Sequence, residues 1–159
     1  MQDGTEILLV EDDPKDARLT IRELENAKVR NRIELARDGE EALDFLFCRG
    51  AYRNRSLDCP PALILLDLKL PKVDGLQVLR EIKAGRQTRT IPVVVLTSSR
   101  EEKDLVESYK LGVNSYIQKP VDFDQFRQTI KTLGLYWMVV NQPPPRKIFA
   151  NPESSAGEA

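Results

Sequence analysis

A chain of 159 residues, 41% hydrophobic and 31% charged, with 24 basic and 25 acidic residues and a formal net charge of −1, has the composition of one soluble globular domain. That balance excludes a general basic surface for nucleic acid, and no apolar run approaches the roughly 20 residues that a membrane helix needs. There is no His, so a phosphohistidine or an imidazole base on this chain is excluded. The two Cys, Cys48 and Cys59, predict reduced thiols in a cytoplasmic compartment rather than a disulfide or a zinc site.

The chain reaches an apolar run, Glu6-Ile7-Leu8-Leu9-Val10, within six residues, which argues against a secretory leader. That run predicts a buried first strand stopping at Glu11-Asp12-Asp13. Asp13 before Pro14 is a helix start, and Ala17, Ile21 and Leu24 mark the inner face of a helix to about Ala27. Residues 32–36 alternate like a less buried strand at the sheet edge. Asp38-Gly39 is a turn, and a second helix over Glu40–Cys48 would bury Ala42, Leu43, Leu46 and Phe47. Residues 49–61 form a long, basic, irregular connection, either functional or mobile.

The next stretch organises the chain. Leu63-Ile64-Leu65-Leu66 predicts a strand covered on both faces, and it runs straight into a carboxylate, Asp67. A charge there is costly to bury, so it belongs at the open carboxyl edge of a parallel sheet, where α/β folds bind ligands. Pro71 and Asp74-Gly75 break the chain before a helix over Gly75–Ala84 with Leu76, Leu79 and Ile82 inward, stopped by Gly85. Residues 91–97 predict a fourth strand ending on Thr97, Glu101–Leu111 a polar helix, and residues 114–118 a fifth strand ending on Lys119-Pro120. Asp122 caps a last helix carrying Phe123, Phe126, Ile130, Leu133 and Trp137. Five strand–helix pairs predict a doubly wound five-stranded parallel sheet, α/β, in one domain over residues 1–141. Residues 142–159 read as a proline-rich and then disordered C-terminal extension.

The strand ends carry the chemistry. If the strand order is 2-1-3-4-5, Glu11, Asp12, Asp67, Thr97 and Lys119 converge on one crevice. Three carboxylates so close need a cation, and an all-oxygen set favours Mg²⁺. Thr97 and Lys119 are placed to hold phosphoryl oxygens, which leaves Asp67 as a nucleophile able to form an aspartyl phosphate. Any one of these groups alone could be a solvated loop residue; four strand ends carrying them together is much harder to reach by accident.

Glu11-Asp12, Asp67, the Leu70-Pro71-x-x-Asp74-Gly75 turn, Thr97-Ser98 and Lys119-Pro120 together resemble the receiver domain of two-component response regulators, over about residues 5–140. The resemblance implies a flavodoxin-like fold with five helices and phosphoryl transfer to Asp67 from a sensor histidine kinase. It implies Mg²⁺ held by Glu11, Asp12, Asp67 and the backbone carbonyl of Lys69, with Thr97 and Lys119 on the phosphoryl oxygens. It also implies a cis Lys119-Pro120 peptide, a switch role for Tyr116, and a tuning role in hydrolysis for Lys69 and Ser99. Tyr116 reads equally well as a surface aromatic on an edge strand.

The segment Phe45-Leu46-Phe47-Cys48-Arg49-Gly50-x-Tyr52 and the run Leu135-Tyr136-Trp137 before the prolines resemble stand-alone regulators paired with bacterial phytochrome kinases. That resemblance implies a homodimer through the last helix. The local residues agree, since the run from Leu133 through Tyr136, Trp137 and Val140 is apolar nearly all round. Nothing after residue 140 reads as an output module, so the expected output passes through a partner or back to the kinase. Two other classes compete. A phosphatase working through an aspartyl phosphate usually needs an acid two residues after its nucleophile, where this chain has Lys69. A dead-site interaction module predicts the loss of one of the five groups, and all five are present.

Overall fold

The computed structural model describes residues 6–26, 29, 31–98, 101–119 and 122–132. The elements alternate as β1 (Ile7–Val10), α1 (Pro14–Asn26), β2 (Ile33–Ala36), α2 (Gly39–Leu46), β3 (Leu63–Leu66), α3 (Gly75–Ala84), β4 (Val93–Thr97), α4 (Glu102–Lys110), β5 (Ser115–Gln118) and α5 (Phe123–Thr132). The five strands are all parallel in the order β2-β1-β3-β4-β5, as the sequence predicts.

The short strands are apolar on both sides because both faces of the sheet are covered. Leu8, Val10, Ile64, Leu66, Val93 and Val95 point to one face, where α2 and α3 supply Leu43, Phe45, Leu46, Val78, Leu79 and Ile82. Ile7, Leu9, Leu63, Leu65, Val94, Leu96 and Ile117 point to the other, against Leu24 of α1 and Phe126 of α5. The two edge strands are less buried: β2 buries only Ala36 fully and β5 only Ile117.

Three expectations shift in detail. The second helix ends at Leu46, because Cys48 turns left-handed (φ 56°) and Arg49 N–H reaches back to the Asp44 carbonyl at 2.8 Å, closing the helix with a Schellman-type turn. That turn leaves Phe47 half-buried and makes Phe45 the fully buried ring. On α3 Val78 is fully buried beside the expected Leu79 and Ile82, while Leu76 is partly exposed. The fourth strand opens at Val93 because Pro92 has no N–H to donate, although its carbonyl still accepts from Ile64 N–H at 2.9 Å.

The 49–61 connection is tied down. A short 3₁₀ turn at Gly50–Tyr52 starts it, and the Tyr52 hydroxyl donates to Glu41 at 2.9 Å. Arg55 lies over the Phe45 ring at 3.6 Å and donates to Phe45 O at 2.6 Å, Cys59 O at 3.2 Å and Glu6 Oε1 at 2.9 Å. Part of the segment's basic character is therefore a structural pin. Both cysteines are free thiols. The runs expected to form the dimer helix and the tail, from Leu133 onward, lie outside the described residues.

Candidate functional site

The site is built by continuing the sheet one residue past its strands. Glu11 N–H donates to Ala36 O at 2.9 Å, Asp67 N–H to Val10 O at 3.1 Å and Lys119 N–H to Thr97 O at 2.9 Å. These ladder bonds fix Asp67 beside the end of β1 and Lys119 beside Thr97 at the end of β4, along one carboxyl edge. After β1 the chain leaves to one face and after β3 to the other, so the connecting loops part over a crevice between them.

The loop after Asp67 is held equally firmly. Leu68 plugs into the core, Gly75 N–H donates to Leu68 O at 3.0 Å, and the Asp74 carboxylate caps α3 by accepting from Leu76 N–H at 3.2 Å. Gly75 is required at this point, because a Cβ there would lie 2.4 Å from the Asp67 carbonyl oxygen and from Leu68 Cα. Across the crevice, the Asp13 carboxylate caps α1 by accepting from Lys15 N–H at 2.8 Å, which is the capping role its place before Pro14 predicts.

The Asp67 carboxylate is buried and fully engaged. Its Oδ1 accepts from the Thr97 hydroxyl at 2.9 Å and from Lys69 N–H at 3.1 Å, and its Oδ2 accepts from Lys119 Nζ at 3.0 Å. Lys119 also bonds Glu11 Oε1 and, at 3.0 Å, Asp16 Oδ2. Glu11, Asp12 and Asp67 each offer an oxygen, all within 4.8 Å of one another. Burial, together with the charge on Asp67, pushes Glu11 up to about 7, against the opposing pull of Lys119. Burial alone would lower the Lys119 ammonium, but its hydrogen bonds to Glu11 and Asp16 and the charge on Asp67 outweigh that and hold it above its ordinary value.

One ammonium is thus shared among more acids than it can neutralise. Three carboxylates gathered around a single ammonium leave excess negative charge at this edge, and an all-oxygen donor set fits a hard divalent cation.

The structure brings Glu11, Asp12, Asp67, Thr97 and Lys119 together. Lys69 contributes its N–H to Asp67 but turns its side chain outward, to Glu101 and Asp104 on the α4 side, at 3.3 Å each. Tyr116 lies beside Val95 in the β4–β5 register, half-buried against the core rather than lying free on the surface. Ser99, Pro120, Leu133, Tyr136, Trp137 and Val140 lie outside the described residues. The residue that sequence reasoning missed is Asp16. Its signal was available in part: it stands three positions after the helix cap Asp13, in the first turn of a helix that starts at this same edge.

A sequence profile described as the response regulator receiver domain matches residues 7–131. The chain is 45% identical over 138 residues to the "Probable methanogenesis regulatory protein FilR2" of Methanothrix harundinacea, covering 87% of this chain and 86% of that protein. The solved structure of "the bacteriophytochrome response regulator AtBRR" is 53% identical with a TM-score of 0.74, covering 86% of this chain and 97% of that one. "The Mn(2+)-bound form of response regulator Rcp1" is 40% identical with a TM-score of 0.70, covering 87% and 98%.

Proposed function

The chain belongs to the response regulator receiver domain family, and from that premise we propose that Asp67 is its phosphoacceptor, served by a histidine kinase of the phytochrome type. The observation that carries this reading is the buried Asp67 carboxylate, with the Thr97 hydroxyl 2.9 Å from one oxygen and the Lys119 ammonium 3.0 Å from the other. A carboxylate oxygen of Asp67 attacks the phosphorus of the donor phosphohistidine. The P–O bond forms as the P–N bond breaks, and its electron pair leaves on the donor imidazole.

Thr97 and Lys119 already point at the reacting group. Once Asp67 carries the phosphoryl group as an acyl phosphate, the Thr97 hydroxyl gains a phosphoryl oxygen as acceptor, and the Lys119 ammonium balances charge on the transferred group. Glu11, Asp12 and Asp67 would hold a divalent cation, which we assign as Mg²⁺ with the Lys69 carbonyl as a further ligand. When bound, that ion supplies neutralisation of the phosphoryl charge. The position two residues after Asp67, where such a phosphatase carries its general acid, holds Lys69 with its side chain turned outward, which favours a phosphorylated switch over a phosphatase.

A shift of Thr97 toward phosphate would be felt on β5 through Tyr116, biasing two conformations of the face made by α4, β5 and α5. In this reading the protein acts as a single-domain regulator in the cytoplasm, catalysing only its own phosphorylation and dephosphorylation. Its second copy would dock through the apolar run containing Leu133, Tyr136, Trp137 and Val140. The similarity to a bacteriophytochrome regulator supports the kinase assignment.

Incubation with Mg²⁺ and acetyl phosphate, followed by intact mass, tests the acceptor. A metal-dependent gain of one phosphoryl group that Asp67→Asn abolishes is the expected result. An unchanged mass with free phosphate accumulating would assign a phosphatase instead. An unchanged mass without turnover would leave a binding module.

A further inference from the structure

An ammonium has three N–H groups, and Lys119 spends one on each of Glu11, Asp16 and Asp67. Two of these acceptors belong to the carboxylate cluster suited to a cation, and Asp16 does not. It sits instead in the first turn of α1, where a helix N-terminus favours an acid and the Asp13 cap anchors the backbone. Its side chain is 41% exposed, against 3% for Glu11 and 7% for Asp67, so it faces the mouth of the crevice.

This arrangement creates a conflict that Asp16 resolves. A cation held by Glu11 and Asp67 needs oxygens that the ammonium now occupies. Without another acceptor, a Lys119 displaced from Glu11 would be held only by Asp67, the carboxylate that the cation and the phosphoryl group also engage, and its aim at the acceptor oxygen would be lost. Asp16 is the partner that cation binding leaves untouched.

We propose that Asp16 is a positioning residue for phosphoryl transfer: it keeps the Lys119 ammonium beside Asp67 while Glu11 turns to the cation, so that the freed N–H is directed at a phosphoryl oxygen. The inference rests on the reading of Asp67 as phosphoacceptor. It asks only for an oxygen acceptor at position 16, not for its charge. Because Asp16 is itself 41% exposed and Lys119 keeps Glu11 and Asp67 as partners, loss of the Asp16 side chain should leave the melting temperature almost unchanged.

The test compares wild-type chain, Asp16→Ala and Asp16→Asn at saturating Mg²⁺, with initial rates of phosphorylation read by intact mass over a range of acetyl phosphate concentrations. Misplacing a charged group near a reacting centre is expected to lower the maximal rate of Asp16→Ala roughly tenfold, with half-saturating acetyl phosphate unchanged. Asp16→Asn, which retains an acceptor oxygen, should recover to within about threefold of wild type. A wild-type maximal rate in Asp16→Ala overturns the proposal. So does an equal loss in both variants, which would make Asp16 a source of charge only. Failure of the wild-type chain to gain a phosphoryl group would instead overturn the acceptor reading itself, so the two failures are distinguishable.

Discussion

Strand β1 is flanked at each end by a buried glutamate, and the two ends of this one strand do opposite things. Glu6, before the strand, is 5% exposed and receives two guanidinium groups, from Arg32 and from Arg55 at 2.9 Å. Glu11, after the strand, is 3% exposed and receives one ammonium that also serves Asp16 and Asp67. Guanidinium groups do not deprotonate and make fixed, forked hydrogen bonds, so the amino edge is electrically closed. The carboxyl edge carries surplus negative charge, and in the proposed reading it takes a cation and a phosphoryl group. The same residue type at equal depth is structural where its charge is balanced and functional where it is not.

The sharpest way to break this comparison is to remove the cation at each end. Lys119→Ala deletes a group hydrogen-bonded to the proposed acceptor Asp67, and phosphorylation by acetyl phosphate is expected to fall by about 10²- to 10³-fold. Arg55→Leu should leave that rate unchanged per folded molecule. It should instead cost about 3 kcal/mol of stability in a urea titration, because it strips one partner from buried Glu6 and removes the stacking on Phe45. A rate loss in Arg55→Leu comparable to that of Lys119→Ala would show that the two edges are not separate.

The unequal visibility of the two edges in the sequence has a physical cause. Asp67 and Thr97 announce the carboxyl edge by interrupting the apolar runs of β3 and β4, and Lys119 follows the fifth strand at the same edge. The amino edge is made by a pairing between Glu6 and Arg55, 49 residues apart, and no local pattern encodes such a contact. Asp16 stayed hidden for the same reason: its partner Lys119 is 103 residues away. Phe45 and Phe47 were confused because two turns of helix do not set the phase of a face. The left-handed Cys48 then ended α2 earlier than its periodicity implied.

A smaller effect tests the electrical openness of the carboxyl edge directly. Glu11 is pushed up to about 7 in the folded chain, above the usual range of a glutamate in an unfolded one. Between those values the folded state binds more protons than the unfolded state. The stabilising contribution of protonated Glu11 is therefore complete below about pH 4.5 and is lost as the pH rises through about 7. In chelator-treated protein, stability measured by denaturant should fall with rising pH across this window, by at most about 1.4 kcal/mol per pH unit. Saturating Mg²⁺ should reverse the sign, because the ion binds the ionised carboxylate and stabilises more strongly as the proton leaves. Glu11→Gln should flatten the apo slope and weaken the Mg²⁺ response. If the slope survives that substitution, the proton belongs to another group, and the surplus charge at this edge is not centred on Glu11.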